Sequence, residues 1–243
     1  MRMTLYEAAF AALARIGGAG ARRPVAQVTL FGGLASSVLW PVGEAPADAV
    51  LAARLYALAA AAASVLNAAL SAHMIPILIG LGVAPALAVW IGSVRGVGQT
   101  GARLGEVLFG RRMSPLALGL LAALVLPVAF ALGFLAGVST PAGLAFAFLY
   151  GAGNGLLTIV RGTVPLVLFE PAAYGTLVGR LLAPSFLLSA AAPLAYAVVI
   201  ARLGDAAALA LSLGLAALVV VASALLWLRF GRGAPGLAAL EAP

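Results

Sequence analysis

Acidic and basic side chains are so sparse in this sequence that they act as punctuation between apolar runs. Forty residues separate Arg54 from Arg95, and 48 separate Arg112 from Arg161; His73 is the one basic interruption of the two runs. Shorter uncharged runs of 20, 21 and 23 residues lie between Arg23 and Glu44, Arg180 and Arg202, and Asp205 and Arg229. A helix needs about 20 apolar residues to cross a bilayer. Two turn signals, Gly80 to Pro85 and Gly137 to Pro141, cut the longest runs into pieces near that length. The chain is 64% hydrophobic and 9% charged, with a mean hydropathy of +1.16. A water-soluble core has no use for so much apolar surface.

The runs predict helices near 24–43, 51–79, 84–109, 114–137, 142–168, 175–201 and 205–229. The expected fold is therefore an all-α integral membrane protein with about seven transmembrane helices. Alternation with period two is absent, which argues against a membrane barrel. Pro76, Pro127, Pro165, Pro184 and Pro193 fall inside the expected helices. Spanning helices tolerate such prolines because neighbouring groups satisfy the freed carbonyls.

Three segments are expected: 1–50, with an interfacial helix and one apolar helix; 51–230, with six helices; and a cytoplasmic tail, 231–243. Within the first, Leu5, Ala8, Ala12 and Ile16 share one side and Arg2, Arg15, Arg22 and Arg23 supply charge. A signal peptide is the competing reading of 1–23. The excess of basic residues places 110–114, 169–180 and the tail on the cytoplasmic side of a plasma (inner) membrane. Counting back puts the arginine-rich 1–23 outside if 24–43 spans. Either 24–43 does not span, or a helix is missing relative to a complete bundle.

Several chemistries are excluded by residue type. Cys is absent, and all 14 basic residues are Arg, so there is no thiolate site, P-loop lysine or Schiff-base lysine. The net charge of +7 is scattered singly between apolar runs rather than gathered into a basic stripe, which argues against nucleic acid as a partner. No HExxH, GxSxG or intramembrane carboxylate pair occurs, so no enzyme activity, cofactor or metal is expected.

Polar residues inside the apolar runs are the candidates for function. Arg95, Gln99, Arg103 and Glu106 share one helical face. An unpaired guanidinium in a span costs at least ~2.5–3.5 kcal/mol, so Arg95 requires a partner or a wet cavity. The same helix contains Gly96-Val-Gly-Gln-Thr-Gly101, which matches a dinucleotide fingerprint by letter. The fingerprint needs a preceding strand and a later acid, and neither is in place here. Gly92–Gly96 and Gly101–Gly105 are read instead as small-residue pairs for close helix packing.

Asn154, Thr158 and Arg161 form a second stripe, and Gly151 and Gly155 beside it allow close packing. Ser64, Asn67 and Ser71 form a third, and His73 follows on the same helix. His73 is read as structural or interfacial, with proton transfer as the sharper alternative. At the end of 84–109, Arg103, Glu106, Gly110, Arg111 and Arg112 suggest a cytoplasmic gate, with Glu106 meeting Arg103 or a basic group across the turn. The plain alternative is ordinary topogenic charge.

With these residues in hand, 51–229 resembles the C-terminal six-helix half of a major facilitator superfamily transporter. The resemblance is carried by Gly101 to Arg112, with Glu106 where an Asp is usual, and by Tyr150-Gly-Ala-Gly-Asn154-Gly with Arg161. Residues 5–41 resemble the fourth-to-fifth helix region of the family's N-terminal half. The family pairs two six-helix halves around a central site. The resemblance implies a shortened copy, passage of a small solute by alternating access, and coupling to protons. It also implies a homo-oligomer or a complementary half as partner. A non-transporting membrane scaffold or partner subunit is the alternative.

Overall fold

A computed structural model describes residues 47–110, 113–169 and 174–231. Six helices and no strand occur among them: α1 Ala47–Gly80, α2 Pro85–Phe109, α3 Pro115–Gly133, α4 Thr140–Leu168, α5 Tyr174–Leu203 and α6 Asp205–Phe230. They belong to one unit that begins at Ala47. The expected helix at 24–43 and the expected tail from 232 lie outside the described residues.

Local chemistry sets the boundaries. Gly82, at φ +98°, turns the chain between α1 and α2, a conformation that suits a residue without Cβ. Pro115 opens α3, and Ser114 caps it by accepting from the Ala117 N–H at 3.2 Å. Ser139 caps α4 in the same way, accepting from the Ala142 N–H at 3.4 Å. Gly204, at φ +85°, is the single residue between α5 and α6. Helix α3 ends at Gly133, short of the expected 137, because Phe134 to Val138 already turn toward α4.

Five helices are long and apolar enough to cross a membrane: Asp48–Gly80, Pro115–Gly133, Thr140–Leu168, Leu177–Leu203 and Asp205–Phe230. The chain is a multi-pass membrane protein. The expected count of seven is not reached among the described residues. Helix α2 is as long as the others but is not one of the five. Arg95, Gln99, Arg103 and Glu106 lower its apolar character. It is amphipathic, with Trp90, Val97, Leu104 and Leu108 exposed along the opposite side.

The six helices pack as two interlocked trios. Helix α1 packs mainly on α5 and α6, whereas α4 packs mainly on α2 and α3. The trios meet through α3 against α6 and through α1 against α2 and α4. Exchanging α1–α3 with α4–α6 therefore reproduces the main pairings. Hydrogen bonds join Asn67 to Asn154 and Ser64 to Arg161, so one number rises as the other falls. Helices α1 and α4 are thus antiparallel.

Helices α2 and α4 run parallel, and glycines set their distance. A Cβ at Gly98 would strike the Phe148 carbonyl, and one at Gly151 would strike the Arg95 carbonyl. A Cβ at Gly155 would lie 2.6 Å from the Gln99 carbonyl oxygen. These glycines allow backbone-to-backbone approach. Gly151 and Gly155 do so as expected, whereas the small-residue pairs expected to do so on α2 are not the ones used. Gly96, Gly101 and Gly105 face open space, and Gly92 meets only the Ile75 side chain. The seam follows from α4, whose Gly151 and Gly155 present a flat strip to one side of α2.

Candidate functional site

The polar stripes of α1, α2 and α4 converge. Asn67 on α1 is the hub: its Oδ1 accepts from Arg95 Nη2 at 2.7 Å and from Asn154 Nδ2 at 3.0 Å. Arg95 also donates to Ser71 Oγ at 3.0 Å, and its guanidinium lies 5.1 Å from the centre of the Tyr150 ring. A cation over an aromatic face is attracted by the ring quadrupole, more so where water is scarce. The Tyr150 hydroxyl is anchored in turn on the Leu66 carbonyl at 3.0 Å. The glycine strip of α4 brings the Arg95 backbone close enough for its side chain to reach α1.

Arg161 organises the other side. Its Nη2 donates to Ser64 Oγ and, at 3.3 Å, to Ser185 Oγ on α5. The Tyr56 hydroxyl donates to the Arg161 carbonyl at 2.7 Å. Phe186 lies 6.0 Å from the guanidinium, ring centre to Cζ. Thr158 donates to the Asn154 carbonyl at 2.9 Å and accepts from Arg103 at 3.2 Å. Four helices thus contribute to one connected polar zone.

A cavity of about 230 Å³ opens within this zone. Asn67, Asn154, Thr158 and Arg161 line it, with Ser64 on α1 and Phe186 on α5. Tyr56, Leu116, Val164 and Leu226 belong to a small apolar cluster and form part of the same wall. Arg95 does not line the cavity; it braces Asn67, which does. Asn154 is 8% exposed, whereas Asn67, Ser71 and Thr158 are exposed. No group of His and acidic side chains suited to a metal occurs among the described residues.

The expected residues separate into three groups. Arg95, Asn67, Asn154, Thr158 and Arg161 come together, and Arg103 joins them through Thr158. Gln99 lies on the same face of α2, but its side chain makes no hydrogen bond among the described residues; its backbone meets Gly155. His73 stands apart, donating from Nε2 to the Pro193 carbonyl at 2.8 Å and so tying α1 to α5. In the expected gate, Arg103 reaches across to α4 and forms no ion pair with Glu106. Glu106 lies back over Gly110 at the helix end, and the Gly110 N–H bonds its carbonyl. Arg111 and Arg112 lie outside the described residues.

Sequence reasoning set aside or missed Tyr56, Tyr150, Ser185 and Phe186. The signals were weak but present. Tyr56 carries the one aromatic hydroxyl in an alanine-rich run, and Ser185 and Ser189 recur one turn apart after Pro184. No protein-family model, curated protein or solved structure matches the chain.

Proposed function

We propose that the chain transports a small solute across the plasma (inner) membrane by alternating access, in the manner of a major facilitator superfamily protein. One observation carries this reading. The first helix of each sequence half, α1 of α1–α3 and α4 of α4–α6, bears a polar stripe, and the two stripes meet antiparallel at a cavity. Inverted three-helix repeats with a site at their interface are a recurrent architecture of secondary transporters. In this reading Arg161, Asn67, Asn154 and Thr158 line the path, Arg95 and Arg103 brace it, and α2 adds a sixth span to the five. Protons are the proposed coupling ion. No bond is made or broken in the solute, so the protein acts without enzymatic chemistry.

The exposure of Asn67, Ser71 and Thr158 favours a second element in the same reading. Polar groups at membrane depth are stable where protein or a watery cavity covers them. A second copy or a complementary half is the proposed cover. A scaffold or partner subunit without flux is the alternative.

Proteoliposome uptake of a panel of radiolabelled small solutes tests the proposal. Flux of at least one solute above protein-free vesicles is expected, with a tenfold or greater loss in Arg161→Ala and a smaller loss in Arg95→Ala. Unchanged flux in both variants removes these residues from the path. A folded protein of defined mass in detergent, with no flux for any solute, supports the scaffold reading.

A further inference from the structure

The cavity is unbalanced in charge and in hydrogen-bonding capacity. Arg161 uses only Nη2 on protein partners; its Nη1 and Nε have none among the described residues. The Asn67 oxygen is committed to two donors, which fixes the amide and leaves its NH₂ without a partner among the described residues. Hydroxyl oxygens that accept elsewhere in such sites are occupied here. Ser64 and Ser185 already accept from Arg161, and Thr158 from Arg103. Their own protons go to helix carbonyls: Ser64 to Ala60, Ser185 to Leu182 and Thr158 to Asn154.

Among the described residues, no carboxylate balances this surplus. The acidic residues among those described are Asp48, Glu106 and Asp205. Asp48 lies in the first turn of α1, Glu106 in the last turn of α2, and Asp205 opens α6. None lines the cavity, and none forms an ion pair with Arg95, Arg103 or Arg161. A guanidinium at membrane depth without a counter-charge is costly, and a ligand that supplies the charge removes that cost.

We propose that this cavity binds a small organic carboxylate, and that Arg161 attracts its carboxyl group by charge and donates to it from an unpartnered N–H, that of Nε or of Nη1. A hydrogen bond from an ionised donor to a carboxylate is roughly twice as strong as one between neutral groups. The Asn67 NH₂ supplies a further donor. Ala60, Ala63, Leu157 and Val160 supply an apolar part of the wall, and Ser189 and Ser223 add hydroxyls to it. The apolar part suits a hydrocarbon body, which an inorganic phosphate lacks. The inference deepens the transport reading by naming the solute class, and it rests on that reading for its physiological meaning.

Equilibrium binding to the purified full chain in detergent tests it, with benzoate and hexanoate as probes. Their neutral amides and inorganic phosphate serve as comparators. Saturable binding of a carboxylate is expected, at least tenfold tighter than its amide and than phosphate. Arg161→Ala abolishes that preference. Arg161→Lys retains a charge beside Ser64 but not the separate Nε and Nη1 donors, and keeps folding while losing at least fivefold in affinity. A thermal transition recorded for each variant separates lost binding from lost fold. Amides bound as tightly as carboxylates, tighter phosphate, or a folded chain that binds neither carboxylate overturns the assignment.

Flux measured on the same preparation keeps the two conclusions apart. Carboxylate binding without transport sinks the transport reading alone. Transport of a neutral solute without carboxylate binding sinks this inference alone.

Discussion

The two sides of α4 are built from opposite chemistries. Toward α3 it presents Phe146 and Tyr150, which meet Phe130 with ring centres 5.9 and 5.5 Å apart, all of them fully buried. Leu126 and Ala129 complete that seam, and the Arg95 guanidinium borders it over the Tyr150 ring. Toward α1 the same helix presents Asn154, Thr158 and Arg161, hydrogen-bonded to Asn67, Arg103 and Ser64 around a cavity. Tyr150 belongs to both sides, its ring in the aromatic seam and its hydroxyl on the Leu66 carbonyl. The difference teaches a division of labour. The aromatic seam fixes α4 in its trio, and the polar seam leaves empty space where a packed interior normally has none.

Substitution at the two seams separates these roles. Phe130→Ala removes the ring at the centre of the aromatic seam. It is expected to cost about 3–5 kcal/mol of stability, as large-to-small core changes do. Thermal or denaturant unfolding in detergent reads the loss, and carboxylate affinity in the surviving folded fraction should change less than threefold. A large change in affinity would break the division.

Gly151→Val comes next, at about 1–3 kcal/mol, because its side chain must displace the Arg95 carbonyl. It sharpens the comparison by acting on both sides at once. Unfolding should shift, and binding should weaken as Arg95 is drawn from Asn67. Destabilisation with unaltered binding would show that Arg95 has no part in setting the site.

Asn67→Ala is the smallest in stability, at about 1 kcal/mol or less, since hydrogen bonds between spanning helices contribute modestly. Its effect on flux should exceed its effect on stability. A variant that unfolds as readily as Phe130→Ala would erase the contrast between the seams.

The sequence made the elements legible because each rests on local signals. Charge punctuation, turn signals and apolar length placed the described helices to within a few residues. Spacing also placed Asn154, Thr158 and Arg161 on one face. What it did not reveal is which helix answers each face. Arg95 finds Asn67 across 28 positions and Arg161 finds Ser185 across 24, and periodicity within one helix carries no information about the register of another. The expected Arg103–Glu106 pair failed for that reason: helix spacing permits it, but the parallel register of α2 and α4 offers Arg103 the Thr158 hydroxyl instead. The glycine pairs read on α2 erred likewise, although Gly151 and Gly155 on α4 pack as expected. Gly98 is unremarkable by spacing, and only the strip on α4 selects it over Gly96 and Gly101.

The Asn67 carbonyl is one oxygen atom serving as the vertex of three rods. A small rotation of α1 alone lengthens two hydrogen bonds on two other helices, whereas a joint shift of α2 and α4 can preserve both. Geometry of this kind makes certain displacements cheap and others dear. It sorts the bundle's thermal fluctuations into a few concerted modes, with the amide as their common pivot.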